Sequence, residues 1–162
     1  MATRRTPPPV DLSMLLNQSS HALANRLSKA LEGLEISVRV YCALAKAVDS
    51  ELTQGQLAEA AWMDKTTMVV TLDEMERRGL AERKLSPIDR RVRVIAVTDA
   101  GRSVLIEADT VVQRVYDEVL EGVGERDREA CLAVLSRLVA GPPAAPFQLE
   151  KPVRRRAQRG GV

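Results

Sequence analysis

A helical hydrophobic period runs through this chain up to Gly79, gives way to two short β-rich runs, and resumes at Thr98. That interruption constrains the fold more than any other feature, because it asks for a helical protein with one hairpin set into it. Just before the break stands "DKTTMVVTLDEMERRGL", Asp64 to Leu80. From Thr66 to Thr71 every residue except Met68 is β-branched, which favours a strand. Yet Met68, Leu72 and Met75 recur at the spacing of one helical face. Helix propensities differ by only a few tenths of a kcal/mol per residue, whereas complete burial of each of these side chains contributes roughly 1.5–3 kcal/mol. The segment is predicted to be a helix.

Its surroundings fit that reading. "TQGQLAEAA" opens with Thr53 and carries Gln56 three residues on, a capping-box pairing that starts a short helix. Asp64 is a good N-cap for the next helix, and Gly79 a natural stop. "LAERKL" and "VRVIAVT" read as the strands of a β-hairpin joined by the turn-forming "SPIDRR". Upstream, Leu12, Leu15, Leu16, Leu23, Leu27, Leu31 and Leu34 stripe a long first helix, and a second is expected from about Ile36 to Val48 with Val40, Tyr41, Leu44 and Val48 inward. Downstream, Thr98 caps a long helix with apolar residues at 105, 108, 112, 115, 119 and 123, nearly a heptad, so this helix is expected to have a helical partner along its length. A last helix, about 125–139, is expected to turn Cys131, Leu132, Leu135, Leu138 and Val139 inward.

Several function classes fall away on composition. With 162 residues, 45% of them hydrophobic, the chain can bury one ordinary core with room for a second lobe. No apolar run approaches the roughly 18 residues that span a bilayer. "MATRRTPPPV" lacks the apolar stretch of a signal peptide, so the expected place is the cytoplasm, away from membranes. Cys42 and Cys131 have no metal-ligand spacing and are expected to be reduced, buried thiols. With His21 the only histidine, no metal site, cofactor or catalytic group is expected, and no nucleophile–base pair is found.

Charge is localised. The net +2 divides into +2 over residues 1–10 and +4 over residues 141–162, leaving −4 for 11–140. Within that acidic body, "RKLSPIDRRVR" (83–93) sets five basic residues against Asp89. One basic spot on an acidic frame suggests a localised polyanion contact. The Pro- and Gly-rich ends, 1–10 and 141–162, are expected to be flexible tails, the second of them basic.

The order helix, short helix, turn, helix, hairpin is that of a winged helix-turn-helix, which presents its second motif helix to a major groove. Lys65, Thr66 and Thr67 supply donors and hydroxyls for phosphates and bases, and threonine and valine methyls can pack on thymine methyls. The hairpin's basic tip can straddle phosphates into the neighbouring minor groove. The expected fold class is mostly α with a small β-wing, ordered α-α-α-α-β-β-α-α, the terminal helices forming a dimerisation lobe. The expected division is 1–10 tail, 11–35 dimerisation helix, 36–98 DNA-binding domain, 99–140 dimerisation helices and 141–162 tail.

"LAEAAWMDKTTMVVTLDEMERRGLAERKLSPIDRRVRVIAVTDAG" resembles the DNA-binding core of the MarR (multiple antibiotic resistance regulator) family, above all in "ERRGLAER" and "DRRVRVIAVTDAG". The resemblance covers about 11–140. It implies a homodimeric regulator, usually a repressor, that binds an inverted-repeat operator in double-stranded DNA and releases it on meeting a small phenolic or other anionic aromatic effector. By position, Asp89 resembles the acid that braces the wing and Arg91 the arginine placed in the minor groove, with Arg90 and Arg93 as phosphate neighbours. The expected DNA contacts are then Thr53, Gln54, Lys65, Thr66, Thr67, Val69, Val70, Arg90, Arg91 and Arg93. Two departures stand out. Val69 and Val70 lie where many members carry polar or basic residues. Trp62 lies where helix-turn-helix patterns often have glycine, and is expected to plug the core. Effectors of the family tend to bind between the dimer base and the DNA-binding lobe, where His21, Arg39, Tyr41 and Trp62 are the candidate lining. The alternatives are a winged-helix protein-interaction module and a cysteine-based redox-sensing regulator. The second is disfavoured because the first helix has no cysteine, unlike the hydroperoxide-sensing branch of the family.

Overall fold

A computed structural model describes residues 11–140. The tails read at 1–10 and 141–162 lie outside the described residues. The elements run α1 Leu12–Leu31, a 3₁₀ turn Glu32–Leu34, α2 Val38–Ala47, α3 Gln54–Ala60, α4 Lys65–Arg77, β1 Ala81–Leu85, β2 Arg93–Val97, α5 Asp99–Val119 and α6 Glu125–Ala140. The fold is a mostly helical one with a two-stranded antiparallel wing, as the change of period predicts. Among the described residues, those up to Glu121 belong to one compact unit and those from Gly122 to Ala140 to another.

In the first unit, Leu27 and Leu31 of α1, Val40 and Leu44 of α2, Leu57 of α3, Met68, Leu72 and Met75 of α4, and Leu105, Ala108, Val112 and Val115 of α5 share one buried core. The stripe of α4 therefore outweighs the reluctance of its β-branched residues. Thr71, which also faces inward, donates its hydroxyl to the Thr67 carbonyl at 2.9 Å and so stays satisfied. Several expectations are corrected. Tyr41 and Val48 are only half-buried, because α2 turns Ala43 and Ala47 to the core beside Val40 and Leu44. Leu12, Leu15 and Leu16 are exposed, and of the first stripe only Leu27 and Leu31 are fully covered. The long helix after Thr98 stops at Val119, before Val123, and both valines are exposed.

The second unit reverses one expectation outright. Cys131, Leu132, Leu135, Leu138 and Val139 of α6 are all exposed. The apolar pattern of α6 is present, but its side chains stand open. Cys131 is thus no buried thiol, and Cys42 is only half-buried.

Helix ends follow their local chemistry. The Thr53 hydroxyl accepts from Gln56 N–H at 3.3 Å while Thr53 N–H donates to Gln56 Oε1 at 2.9 Å, the reciprocal capping box. At the end of α4, Gly79 N–H donates to Glu76 O at 2.9 Å and Leu80 N–H to Met75 O at 2.8 Å, with Gly79 left-handed at φ 67°. This is the Schellman closure, whose pivot residue must take positive φ. The same closure ends α3, with Trp62 N–H on Glu59 O (3.2 Å) and Met63 N–H on Ala58 O (2.9 Å). There the pivot is Trp62, at φ 53° and 71% exposed. Trp62 is therefore not a core plug. It occupies the position glycine usually fills because the turn dictates the conformation and the indole has open space outside. A non-glycine residue held there costs on the order of 1–3 kcal/mol. Trp62→Gly is expected to leave stability unchanged or raise it by about 1 kcal/mol, and Trp62→Val to lower it by a similar amount. Urea titration followed by circular dichroism checks this; a loss in Trp62→Gly would mean the indole, not the backbone, governs the turn.

The hairpin pairs Ala81 with Val97 through Leu85 with Arg93. Beyond the ladder, Ile95 N–H donates to Leu52 O at 2.8 Å, which ties the wing's base to the loop ahead of α3. Helix-turn-helix and wing are thereby joined through backbone.

Candidate nucleic-acid interface

The outer face of α4 is set by its inner one. Since Met68, Leu72 and Met75 point to the core, helical geometry puts Lys65, Thr66, Val69, Val70 and Asp73 on the opposite side, and all are exposed. Thr67 lies at the edge of this face. Its backbone N–H and its hydroxyl both donate to the Asp64 carboxylate, at 2.9 and 2.6 Å. Those bonds, the hydroxyl's foremost, hold the Asp64 carboxyl below its ordinary range. Thr67 is thus a capping residue first, and its hydroxyl proton is already engaged. Thr53 is engaged in its own cap, and Gln54, half-buried, opens α3 beside it. The reading face is then one cation, one free hydroxyl and two valines, with room for apolar contact to thymine methyls.

Asp73 on this face would repel phosphates if left alone. Arg83 of β1 donates to it at 3.1 Å, and to Glu76 as well. This corrects the simple charge count over 83–93. Arg83 is directed at the acids of α4, and Lys84 pairs with Glu82 at 2.7 Å. The tip keeps Arg90, Arg91 and Arg93, all exposed and without an acidic partner among the described residues. Asp89 accepts the Arg91 N–H on its carboxylate at 2.9 Å and the Val92 N–H on its carbonyl at 3.0 Å. The side chain therefore fixes the turn that carries the arginines, and Ser86 adds a hydroxyl acceptor for Ile88 N–H at 3.2 Å. The result is a polar-apolar helix face beside a wing whose cations gather at its end.

The four residues expected to line an effector crevice do not meet. Arg39 and Trp62 share a recess of about 350 Å³ with Val38, Cys42, Ala61, Met63, Asp64 and Thr67. His21 is exposed on α1 and does not line this recess. Tyr41 donates its hydroxyl to Asp109 of α5 at 3.0 Å; burial first, then this carboxylate, pushes its pKa far above the ordinary phenol value. Tyr41 is a structural strut between α2 and α5. Another recess, about 460 Å³, lies between α1 and α5 and is lined by none of those four residues. Arg26, Lys29 and Arg114 rim it together with one carboxylate, Glu118, over a floor of Ala30, Val111 and Val115. No local pattern announces it, since its cations come from two helices far apart in sequence. Burial also raises the Cys42 thiol's pKa, which disfavours the thiolate a redox sensor needs. No three His, Cys, Asp or Glu gather as a metal site among the described residues.

A family model for the MarR family matches residues 43–92, which span α2 from Ala43, both helices of the motif and the wing up to Val92. Over those residues the chain is similar to the MarR family. This is a family of DNA-binding transcriptional regulators rather than enzymes. Solved MarR-type structures are similar to this chain over most of its length. CouR from Rhodococcus jostii RHA1, bound to p-coumaroyl-CoA, is 28% identical with a TM-score of 0.74, covering 87% of this chain and 96% of its own. A MarR-family transcriptional regulator from Rhodococcus sp. RHA1 is 27% identical with a TM-score of 0.72, covering 80% and 96%. The transcriptional repressor CouR bound to a 23-mer DNA duplex is 25% identical with a TM-score of 0.73, covering 79% and 92%. No described helix of the chain is long and apolar enough to cross a membrane.

Proposed function

We propose that this regulator is a homodimeric repressor that reads an inverted repeat and leaves it when a small aromatic or anionic effector binds. The observation that carries the proposal is the juxtaposition of the exposed α4 face with a wing tip bearing Arg90, Arg91 and Arg93. Lys65, Thr66, Val69 and Val70 enter a major groove, with Thr53, Gln54 and Thr67 at its edge. Arg91 enters the adjoining minor groove, where a narrow A·T-rich tract concentrates negative potential, and Arg90 and Arg93 meet phosphates. The dimer is supported by apolar surface that one copy leaves open: Leu12, Leu15 and Leu16 on α1, and Leu132, Leu135, Leu138 and Val139 on α6. A second copy would cover such stripes, with the terminal helices forming the dimer lobe around residues 36–98. The likeness to CouR, a repressor solved with DNA and with p-coumaroyl-CoA, supports both repression and an effector. For the effector, the cleft rimmed by Arg26, Lys29 and Arg114 suits an anionic head on an apolar body, and the Arg39–Trp62 recess suits a small planar anion.

Footprinting on DNA flanking the protein's own gene is expected to protect an inverted repeat with half-sites about one helical turn apart. A protein that sediments as a monomer, or protects no repeat, would leave the rival reading, a hairpin that grips an acidic protein.

A further inference from the structure

Arginines at the end of α4 and the start of the wing tie this helix to two different places. Arg83 locks the wing to α4 through Asp73 and Glu76. Arg78, the C-cap residue of α4, reaches the other way. Its guanidinium donates to the Glu35 carbonyl and, at 3.2 Å, to the Leu34 carbonyl, with the Glu35 carboxylate 4.0 Å away. These carbonyls end the 3₁₀ turn that joins α1 to α2, and the carbonyls of a helix end carry partial negative charge and lack intrahelical partners. A planar fork of donors suits two successive carbonyls as a point charge does not. Arg78 is only 21% exposed in its side chain, so water competes weakly for these bonds. Glu35 is itself left-handed at φ 55°, a conformation that a non-glycine residue keeps only where its neighbours fix it. The contact therefore bridges 43 residues of sequence at the one junction through which α1 continues into the DNA-binding helices.

We infer that Arg78 is a positioning residue that fixes the angle between α1 and the reading helix, and thereby sets which half-site spacing the dimer accepts. The inference rests on the homodimer and inverted-repeat reading above. With α1 in the dimer lobe, the contact of the 3₁₀ turn with α4 is one of two routes, beside the packing of α5, that place each reading helix relative to the two-fold axis. Inserting one base pair moves a half-site by about 3.4 Å and rotates it by about a tenth of a turn. A stiff junction penalises that displacement; a loosened one absorbs it.

The test compares wild type, Arg78→Lys and Arg78→Met on the preferred inverted repeat and on versions with one base pair added or removed between half-sites, using fluorescence anisotropy. Wild type is expected to bind the altered repeats about tenfold or more weaker. In Arg78→Met, which keeps the stem but has no donors, that penalty should shrink to about threefold or less, with affinity for the preferred repeat falling less than about fivefold. Its salt dependence should match wild type, because Arg78 neutralises no phosphate. Arg78→Lys should lie between, and carries the test alone if circular dichroism shows that the methionine variant does not fold. An intact spacing penalty in folded variants overturns the inference while leaving the repressor reading standing. A wild type that prefers no inverted repeat overturns both.

Discussion

Replacing Gly101 with alanine is expected to destabilise the protein by about 3 kcal/mol or more, although helix propensity alone would favour the change by about 1 kcal/mol. Gly101 lies buried in the first turn of α5, its N–H donating to the Thr98 hydroxyl at 3.0 Å. A Cβ added there would fall on the Leu80 carbonyl oxygen, well inside van der Waals contact, with Val97 Cγ1 at 2.8 Å and the Leu80 carbonyl carbon at 3.0 Å. The obstacle is backbone and cannot rotate away. That carbonyl accepts the Thr98 N–H at 3.0 Å, and the neighbouring Gly79 carbonyl accepts the Thr98 hydroxyl at 2.6 Å. The end of α4, the end of β2 and the start of α5 are thus tied in one knot, and moving any of them breaks a cap. Overpacking usually costs about 1–3 kcal/mol, and a rigid backbone obstacle puts this case at or above the top of that range. Against a typical total of about 5–15 kcal/mol the effect is large. Urea titration of the two proteins gives the answer directly: an unchanged midpoint would show that α5 can slide at no cost.

The second large effect concerns binding. Removing the wing cations together, as R90A/R91A/R93A, is expected to lower operator affinity by about two to three orders of magnitude near physiological salt. For every phosphate that is no longer neutralised, the dependence of log K on log salt should also flatten by about 0.9, and Arg91→Ala alone should flatten it by about one per subunit. Stability should change little, within about 0.5 kcal/mol per site, because these side chains are exposed and the ladder runs through backbone atoms. That separation makes the experiment decisive: folding stays, binding goes. Equal affinity and an equal salt slope in the triple variant would remove the wing from DNA recognition and favour a protein partner for it.

How far these features are legible depends on the range of the interaction behind them. The capping box of Thr53 and Gln56, the cap at Asp64 and the stop at Gly79 are written within a few residues, and each is found in place. The Met68, Leu72 and Met75 stripe is equally clear, because a helix face repeats at fixed spacing. Trp62 misleads, since a large apolar residue reads as core, while the closure of α3 needs only a pivot at positive φ and leaves the ring outside. Arg83 counts in sequence with the wing's free charge, but its partners Asp73 and Glu76 lie on a helix that reaches β1 only after the chain has turned at Gly79. His21, Arg39, Tyr41 and Trp62 share chemistry suited to an effector without sharing a place. The stripe of α6 reads correctly as amphipathic and wrongly as covered, because a periodic face states that something must bury it and not what does.

The amino-acid order by itself determined where most of the helices begin and where the hairpin falls. These follow from hydrogen bonds and side-chain periods that act over three or four residues. Only the tertiary structure decided which charges remain at the wing tip, that Arg78 holds the α1–α2 junction, and that Gly101 must have no side chain. Each of those depends on two surfaces meeting at an angle, and a pairing between distant segments leaves no fixed spacing in the sequence from which to read it.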